Sequence, residues 1–384
     1  MSNPVARLKA GFLFPWSGVF RNLKTDFSQG FDTALQGKNI IIETCSEFIQ
    51  TGAAKVVEDA LKKLVLFENA DIVAGFVGTK VMMHLIPFIE AQRAPVILSN
   101  LGADLPGALL HSQYLFYNSL HLWKSEWAMG KWMQCKYGGE PSVSLSLYES
   151  GYGLHECFKT GAAAAGAQTM KLNMVKNMSA LPDTRMLISY LQEQQPRHAH
   201  ILLSGKEGEQ FLDLFFQSGL SRHMALSVNP FITGESLCRK VDWNGRLHSA
   251  LTWYGGLPTP GNELFTRLYR DNYGVQPNVI SLLGYETGLV LAAAVHNMGH
   301  CINRKELAMA LSAAAPQGPR GKINMGTCPL RTGLPVYIQS SDRQVKDQQV
   351  THRVEEEAGI EWSDPLIGPA GQSVSGWQNP YLCV

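Results

Sequence analysis

The stretch Ala70–Asn100, ADIVAGFVGTKVMMHLIPFIEAQRAPVILSN, leaves this chain few folds to choose from. Ile72, Val73, Phe76 and Val77 make an apolar run of strand length, and Pro95–Leu98 makes a second. Between them Val81, Met82, Leu85, Ile86 and Ile89 recur at helical spacing. A strand, a helix and a strand joined by short turns form a βαβ unit, the building block of a parallel sheet. Open parallel sheets bind ligands just outside the carboxyl ends of their strands. Gly78 and Thr79 follow the first strand there, and Ser99, Asn100 and Gly102 follow the second. Backbone amides and hydroxyls with no nucleophile beside a base suit holding a small polar ligand rather than reacting with it. The plainer reading is that these residues only make βα turns.

The same rhythm runs through most of the sequence. Strands are expected at Leu8–Phe14, Asn39–Thr44, Asp71–Val77, Pro95–Leu98, Val143–Tyr148, Thr169–Met174, His200–Ser204, Met224–Ser227 and Leu247–Trp253, with amphipathic helices between them. After Trp253 come the loop GGLPTPGNE and two helices, Asn262–Tyr273 and Tyr285–Gly299, with no strand between. Helices without strands of their own must cover an existing sheet. The fold class expected is α/β, with two doubly wound, Rossmann-like lobes joined by a hinge. One lobe takes residues 1–120 plus 255–330 and the other 121–254 plus 331–384, with a cleft between them. The chain of 384 residues is long enough for two such cores.

Composition removes several classes of function. Lys and Arg number 33 against 32 Asp and Glu, so no net field favours nucleic acid or an anionic membrane. No apolar run approaches the roughly 18 residues of a membrane helix. The first turn reads FPWSGVF rather than a dinucleotide fingerprint, and neither a phosphate-binding loop nor a GxSxG elbow is present. No enzyme activity, cofactor or metal is therefore expected. His296 and His300 have zinc-like spacing but lack further ligands, and His198 with His200 is expected as a surface pair. Glu355–Glu357 is expected on a solvated helix face. The 7 cysteines include no CxxC, and a single bridge would fall best at Cys301–Cys328.

Several segments together resemble one family. GFLFPWSGVF, the Ala70–Asn100 stretch, SLYESGYGLHECFKTGAAAAGAQ, HILLSGKEGEQFLDLFFQSGL and TPGNELFTRLYRDNYGVQPNVISLLGYETGLVLAAAV occur in an order and spacing similar to those of type I periplasmic binding proteins of the branched-chain amino acid and amide receptor group. The resemblance implies two lobes linked by three crossing strands and a small-molecule ligand clamped between them. It implies a solute-binding protein of an ABC-type transport system, its closed form read by a membrane permease. The alternative on the same fold is a ligand-sensing regulator. The location implied is periplasmic, with the leader already removed; the alternative is cytoplasmic.

Carried over by position, the resemblance assigns Trp16 and Ser17 to the first strand-end loop, and Val77, Gly78 and Thr79 to the contact with an anionic or carbonyl group. Ser99, Asn100, Leu101 and Gly102 line the second loop. Tyr152 comes from the other lobe, as do Gly205, Lys206 and Glu207, and Tyr285 heads a helix reaching the cleft. Two departures bear on the ligand. Phe231 stands where amino acid receptors carry the acid that pairs with the ligand ammonium, and Ala103 stands where they often carry a hydroxyl. A desolvated ammonium without a counter-charge is costly. The expected ligand therefore has an apolar or aromatic part and one polar or anionic end.

Overall fold

The computed structural model describes residues 6–103, 112–146, 153–175, 184–232, 247–296, 298, 303–325, 334–343 and 350–358. The first lobe begins with β1 (Ala6–Phe14), α1 (Leu23–Leu35), β2 (Ile40–Phe48), α2 (Ala54–Lys62), β3 (Ile72–Phe76), α3 (Thr79–Gln92), β4 (Val96–Asn100) and β5 (Leu115–Ser119). These strands form a five-stranded parallel sheet in the order β2-β1-β3-β4-β5. The chain then crosses into α4 (Leu122–Tyr137), β6 (Ser142–Ser146), α5 (Leu154–Ala164), β7 (Lys171–Val175), α6 (Arg185–Gln194), β8 (His198–Leu202), α7 (Gly205–Gln217), β9 (Ala225–Val228) and β10 (Leu247–Leu251). It returns as α8 (Pro260–Tyr273), α9 (Val279–His296) and α10 (Arg304–Ala313), makes the small hairpin β11 (Gln317–Gly318) and β12 (Gly321–Lys322), and ends in β13 (Val336–Arg343) and β14 (Val350–Ala358). The second sheet has seven strands in the order β14-β13-β10-β9-β8-β6-β7, parallel except where β13 joins β10 and β14 joins β13.

Each lobe holds one helix pair in very close contact. α9 lies along α1, where a β-carbon on Gly30 would collide with the Ser281 carbonyl oxygen and one on Gly284 with the Phe27 carbonyl oxygen. α4 and α5 repeat this arrangement: a β-carbon on Gly130 would strike the Phe158 carbonyl, and one on Gly161 the Trp127 carbonyl. Around the first pair, Phe12, Phe14, Phe27, Phe31 and Phe76 pack edge to face or tilted at 5.1–5.8 Å between ring centres. α9 is also, among the described residues, long and apolar enough to cross a membrane by length and composition; most of it is buried inside this lobe.

The chain passes between the sheets after β5, after β10 and again before β13, and one side chain ties these passages together. The Arg320 guanidinium donates through Nε to Glu286 Oε1 at 2.8 Å, through Nη1 to the Ser119 carbonyl at 2.8 Å and to Thr252 Oγ1 at 3.2 Å, and through Nη2 to Asn118 Oδ1 at 3.1 Å. Thr252 in turn donates to the Leu120 carbonyl at 2.8 Å. Arg320 is 8% exposed and Glu286 not at all, so the pair is fully committed to this junction.

One strand lies outside the expected set and three expectations need correction. Leu115–Ser119 is a strand, although LFYNS breaks the apolar pattern: the Asn118 side chain serves the Arg320 junction and the Ser119 hydroxyl accepts from the His121 N–H. The helix expected from Tyr285 starts at Val279, because the Asn278 side chain accepts from the N–H groups of Ile280 and Ser281 at 2.9 and 3.0 Å. Tyr285 thus lies inside the helix, its ring tilted against Phe265 with 4.4 Å between ring centres. Glu355–Glu357 belongs to β14, not to a helix; charged residues are usual on an edge strand, where they deter pairing with other chains. His198 and His200 share a strand face as expected but are buried, because β8 lies between β6 and β9 and α4 covers that face. Cys301, Cys328 and His300 lie outside the described residues.

Candidate functional site

Both parallel sheets reverse their winding once. In the first, β1 leads outward to β2 while β3 lies on its other side; in the second, β6 leads to β7 while β8 lies on its other side. Crevices open at such switch points. The loops after β1 and β3 carry Trp16, Ser17, Val77 and Gly78, Thr79 opens α3, and Gly205, Lys206 and Glu207 form the first turn of α7 after β8. The loop after β4, adjacent to β3, carries Leu101 and Gly102. Tyr152, in the loop after β6, lies outside the described residues.

Within the β1 loop the two residues do different things. Ser17 is buried and its hydroxyl accepts from the Phe20 N–H at 2.9 Å, so it shapes the turn. Trp16 is 50% exposed, with its N–H on the Gln50 carbonyl at 2.6 Å. Val77 and Gly78 are buried and Thr79 is half-buried at the start of α3. The first turn of a helix presents N–H groups without intrahelical partners, together with the positive end of the helix dipole. A carboxylate or carbonyl is favoured there. Gly205 opens α7 in the same way, with φ of 53°, and Glu207 is the acid in that first turn, where a negative charge favours the helix. Lys206 is exposed.

The β4 loop is fixed by the crossing that follows. The carbonyls of Asn100, Leu101 and Gly102 accept from the N–H groups of Leu120, Leu122 and Trp123 at 3.2, 3.0 and 2.9 Å. Gly102 has φ of 74°, and a β-carbon there would meet the His121 backbone. The Leu101 carbonyl is thus engaged by the crossing. The Ser99 hydroxyl and Asn100 Oδ1 are buried without a hydrogen-bond partner among the described residues.

The two lobes meet at aromatic rings. Phe20, from the loop after β1, stands edge-on to Phe231, from the turn after β9, with 5.4 Å between ring centres. Trp253 is not part of this wall: it is buried, with its Nε1 donating to Asn262 Oδ1 at 2.8 Å. Sequence reasoning missed two groups here. Lys124, in the first turn of α4, is buried, and burial pushes its ammonium down to about 8. Asn229, two residues before Phe231, is wholly buried, and its Nδ2 has no hydrogen-bond partner among the described residues. The Asn-Pro pair was the available signal for a turn at this strand end. Among the described residues no group of three His, Cys, Asp or Glu is placed to hold a metal ion.

The family model for periplasmic binding proteins matches residues 7–346. The chain belongs to the periplasmic binding protein family. Among solved structures, this binding protein is similar to an ABC transporter solute-binding protein from R. palustris in complex with benzoate, at 22% identity over 94% of this chain and 99% of that one, with a TM-score of 0.74. A solute-binding protein from Rhodopseudomonas palustris HaA2 in complex with p-hydroxybenzoic acid shares 15% identity over 93% and 98% of the chains, TM-score 0.74. A leucine-binding protein from Thermotoga maritima shares 16% over 90% and 98%, TM-score 0.67. At these identities the likeness speaks for the fold. No curated protein matches the sequence.

Proposed function

We propose that this binding protein captures an aromatic carboxylate between its lobes, outside the cytoplasmic membrane, and presents the closed form to the permease of an ABC transporter. Its task is binding, without chemistry on the ligand. The observation that carries the ligand class is Phe231. It occupies the place of an ammonium-binding acid and meets Phe20 of the other lobe at 5.4 Å, so this part of the wall is aromatic. Glu207 does not replace the acid, because it sits in the first turn of α7 and serves that helix. The carboxylate is held by the first turn of α3, with Thr79 and the Leu101 N–H, while Phe231 and Trp16 enclose the ring. The structures solved with benzoate and p-hydroxybenzoic acid support the same class.

Calorimetric titration tests this with benzoate, 4-hydroxybenzoate and phenylacetate beside leucine, valine and alanine. The aromatic acids bind and the aliphatic amino acids do not; micromolar leucine binding with no aromatic binding would overturn the reading. Thr79→Ala is expected to weaken aromatic acid binding by about 1.5–3 kcal/mol, the range for a hydrogen bond to a charged group, or roughly 10- to 150-fold in Kd. Unchanged affinity in a folded Thr79→Ala protein would move the carboxylate elsewhere.

A further inference from the structure

The Asn229 side chain has a fixed orientation and one unanswered group. The Asn229 backbone N–H donates to the Ile201 carbonyl at 3.1 Å and its carbonyl accepts from the Ile232 N–H at 3.1 Å, so the residue is pinned at the end of β9. Its carboxamide oxygen accepts from the Phe231 N–H at 3.0 Å. A backbone N–H can only donate, which fixes which end of the amide faces the turn. The other end is an NH2 group, a donor with no acceptor capacity. Asn229 is wholly buried and that NH2 has no hydrogen-bond partner among the described residues. A buried donor left unsatisfied is costly and calls for an explanation. The turn uses only the oxygen and does not supply one.

The place of the residue does. Asn229 immediately precedes the Pro230–Ile232 turn that carries Phe231 to the opposite lobe. On that opposite lobe, Ser99 Oγ and Asn100 Oδ1 are likewise buried and unpartnered, at the end of β4. These three atoms, among a larger set of unpartnered buried polar atoms in the described residues, lie at carboxyl ends of strands from the two sheets, where a clasped ligand would meet them. We propose that Asn229 is a specificity residue: its NH2 donates to an oxygen substituent on the ring, at the end remote from the carboxylate. The ligand would then be an oxygen-substituted aromatic acid rather than a plain one. This rests on the aromatic-acid reading and narrows it.

Two variants separate recognition from turn building. Asn229→Asp keeps an oxygen for the Phe231 N–H but exchanges the donor for an acceptor. Asn229→Leu removes both. Each is titrated calorimetrically with benzoate, 4-hydroxybenzoate and 4-formylbenzoate, with a thermal melt to establish that it is folded. The unmodified protein should prefer both substituted acids over benzoate by about tenfold or more, because a site built to hydrogen-bond a substituent rejects the analogue lacking it. Asn229→Leu should collapse that preference to roughly threefold or less, any loss transmitted through the Phe231 turn falling on all three acids alike. Asn229→Asp should keep 4-hydroxybenzoate, whose hydroxyl can donate, and lose about tenfold or more on 4-formylbenzoate, which can only accept. If Asn229→Leu does not fold, the Asn229→Asp comparison decides alone. Folded variants that retain the parent's preferences would overturn the proposal and leave Asn229 a turn residue. If none of the three acids binds the unmodified protein, the aromatic-acid reading itself has failed, and the narrower inference falls with it.

Discussion

Arg320→Met is expected to lower folding stability by about 3–5 kcal/mol, because it strands a buried carboxylate. Glu286 is fully buried and its carboxylate is bonded by the Arg320 guanidinium through both Nε and Nη2. The same substitution also removes a donor from the Ser119 carbonyl and from Asn118 Oδ1, on the crossing after β5. Urea unfolding of parent and variant measures the effect. Replacing the pair together, Arg320→Met with Glu286→Met, should recover much of the loss, since burying two charges is itself costly and an apolar pair of similar volume avoids that. A single variant within about 1 kcal/mol of the parent would show that the junction does not depend on this pair.

The second large effect is with acid. His198 is wholly buried on β8, its Nε2 3.4 Å from Gln134 Oε1, and burial, with the nearby His200, pushes its imidazole from 6.5 down to about 4. The folded state therefore holds it neutral where the unfolded chain binds a proton. Its contribution is complete above the unfolded value of 6.5 and is lost as pH falls towards 4. A shift of that size corresponds to roughly 3 kcal/mol. Burial also lowers His121 and His155, which adds loss in the same direction. Asp26 and Asp32, raised by burial, act in the opposite sense near the acid end of this range. The comparison that isolates His198 is the melting temperature from pH 7.5 to 4.5 for the parent and for His198→Gln. The parent should decline steeply below about pH 6.5 and the variant more shallowly; parallel curves would refute the assignment.

The sequence made the βα rhythm legible because strands buried on both faces and helices with one apolar stripe differ in period. It was least legible where residues serve another part of the chain. Asn118 interrupts the apolar run of β5 because its side chain bonds Arg320, 202 residues further on, and Ser119 because its hydroxyl accepts from the His121 N–H at 3.0 Å. His198 and His200 read as surface residues until α4 is laid over the strand, where Glu126 meets His200 Nε2 at 2.6 Å and Ser227 meets its Nδ1 at 2.9 Å. The early start of α9 was written in Asn278, a capping residue masked by Pro277 and the Gly274 turn before it. For the site, strand-end glycines and hydroxyls pointed to Thr79 and to the Ser99–Gly102 loop. Asn229 escaped notice because its meaning lies in which amide end the Phe231 N–H occupies, a fact of geometry rather than of residue type.

The glycine-mediated helix contacts bear on how this molecule could be put to use. With α1 against α9 and α4 against α5 at carbonyl contact, neither pair has slack to slide or tilt without a collision. Opening and closing of the lobes are therefore expected at the junction between the sheets. A dye on the solvent side of α1 and a second on that of α4 would ride on two stiff plates, and the energy transferred between them would measure a single opening angle. Such a labelled protein would convert ligand occupancy into an optical signal with little contribution from internal flexing, and its response range could be tuned at the Arg320 junction without touching the site.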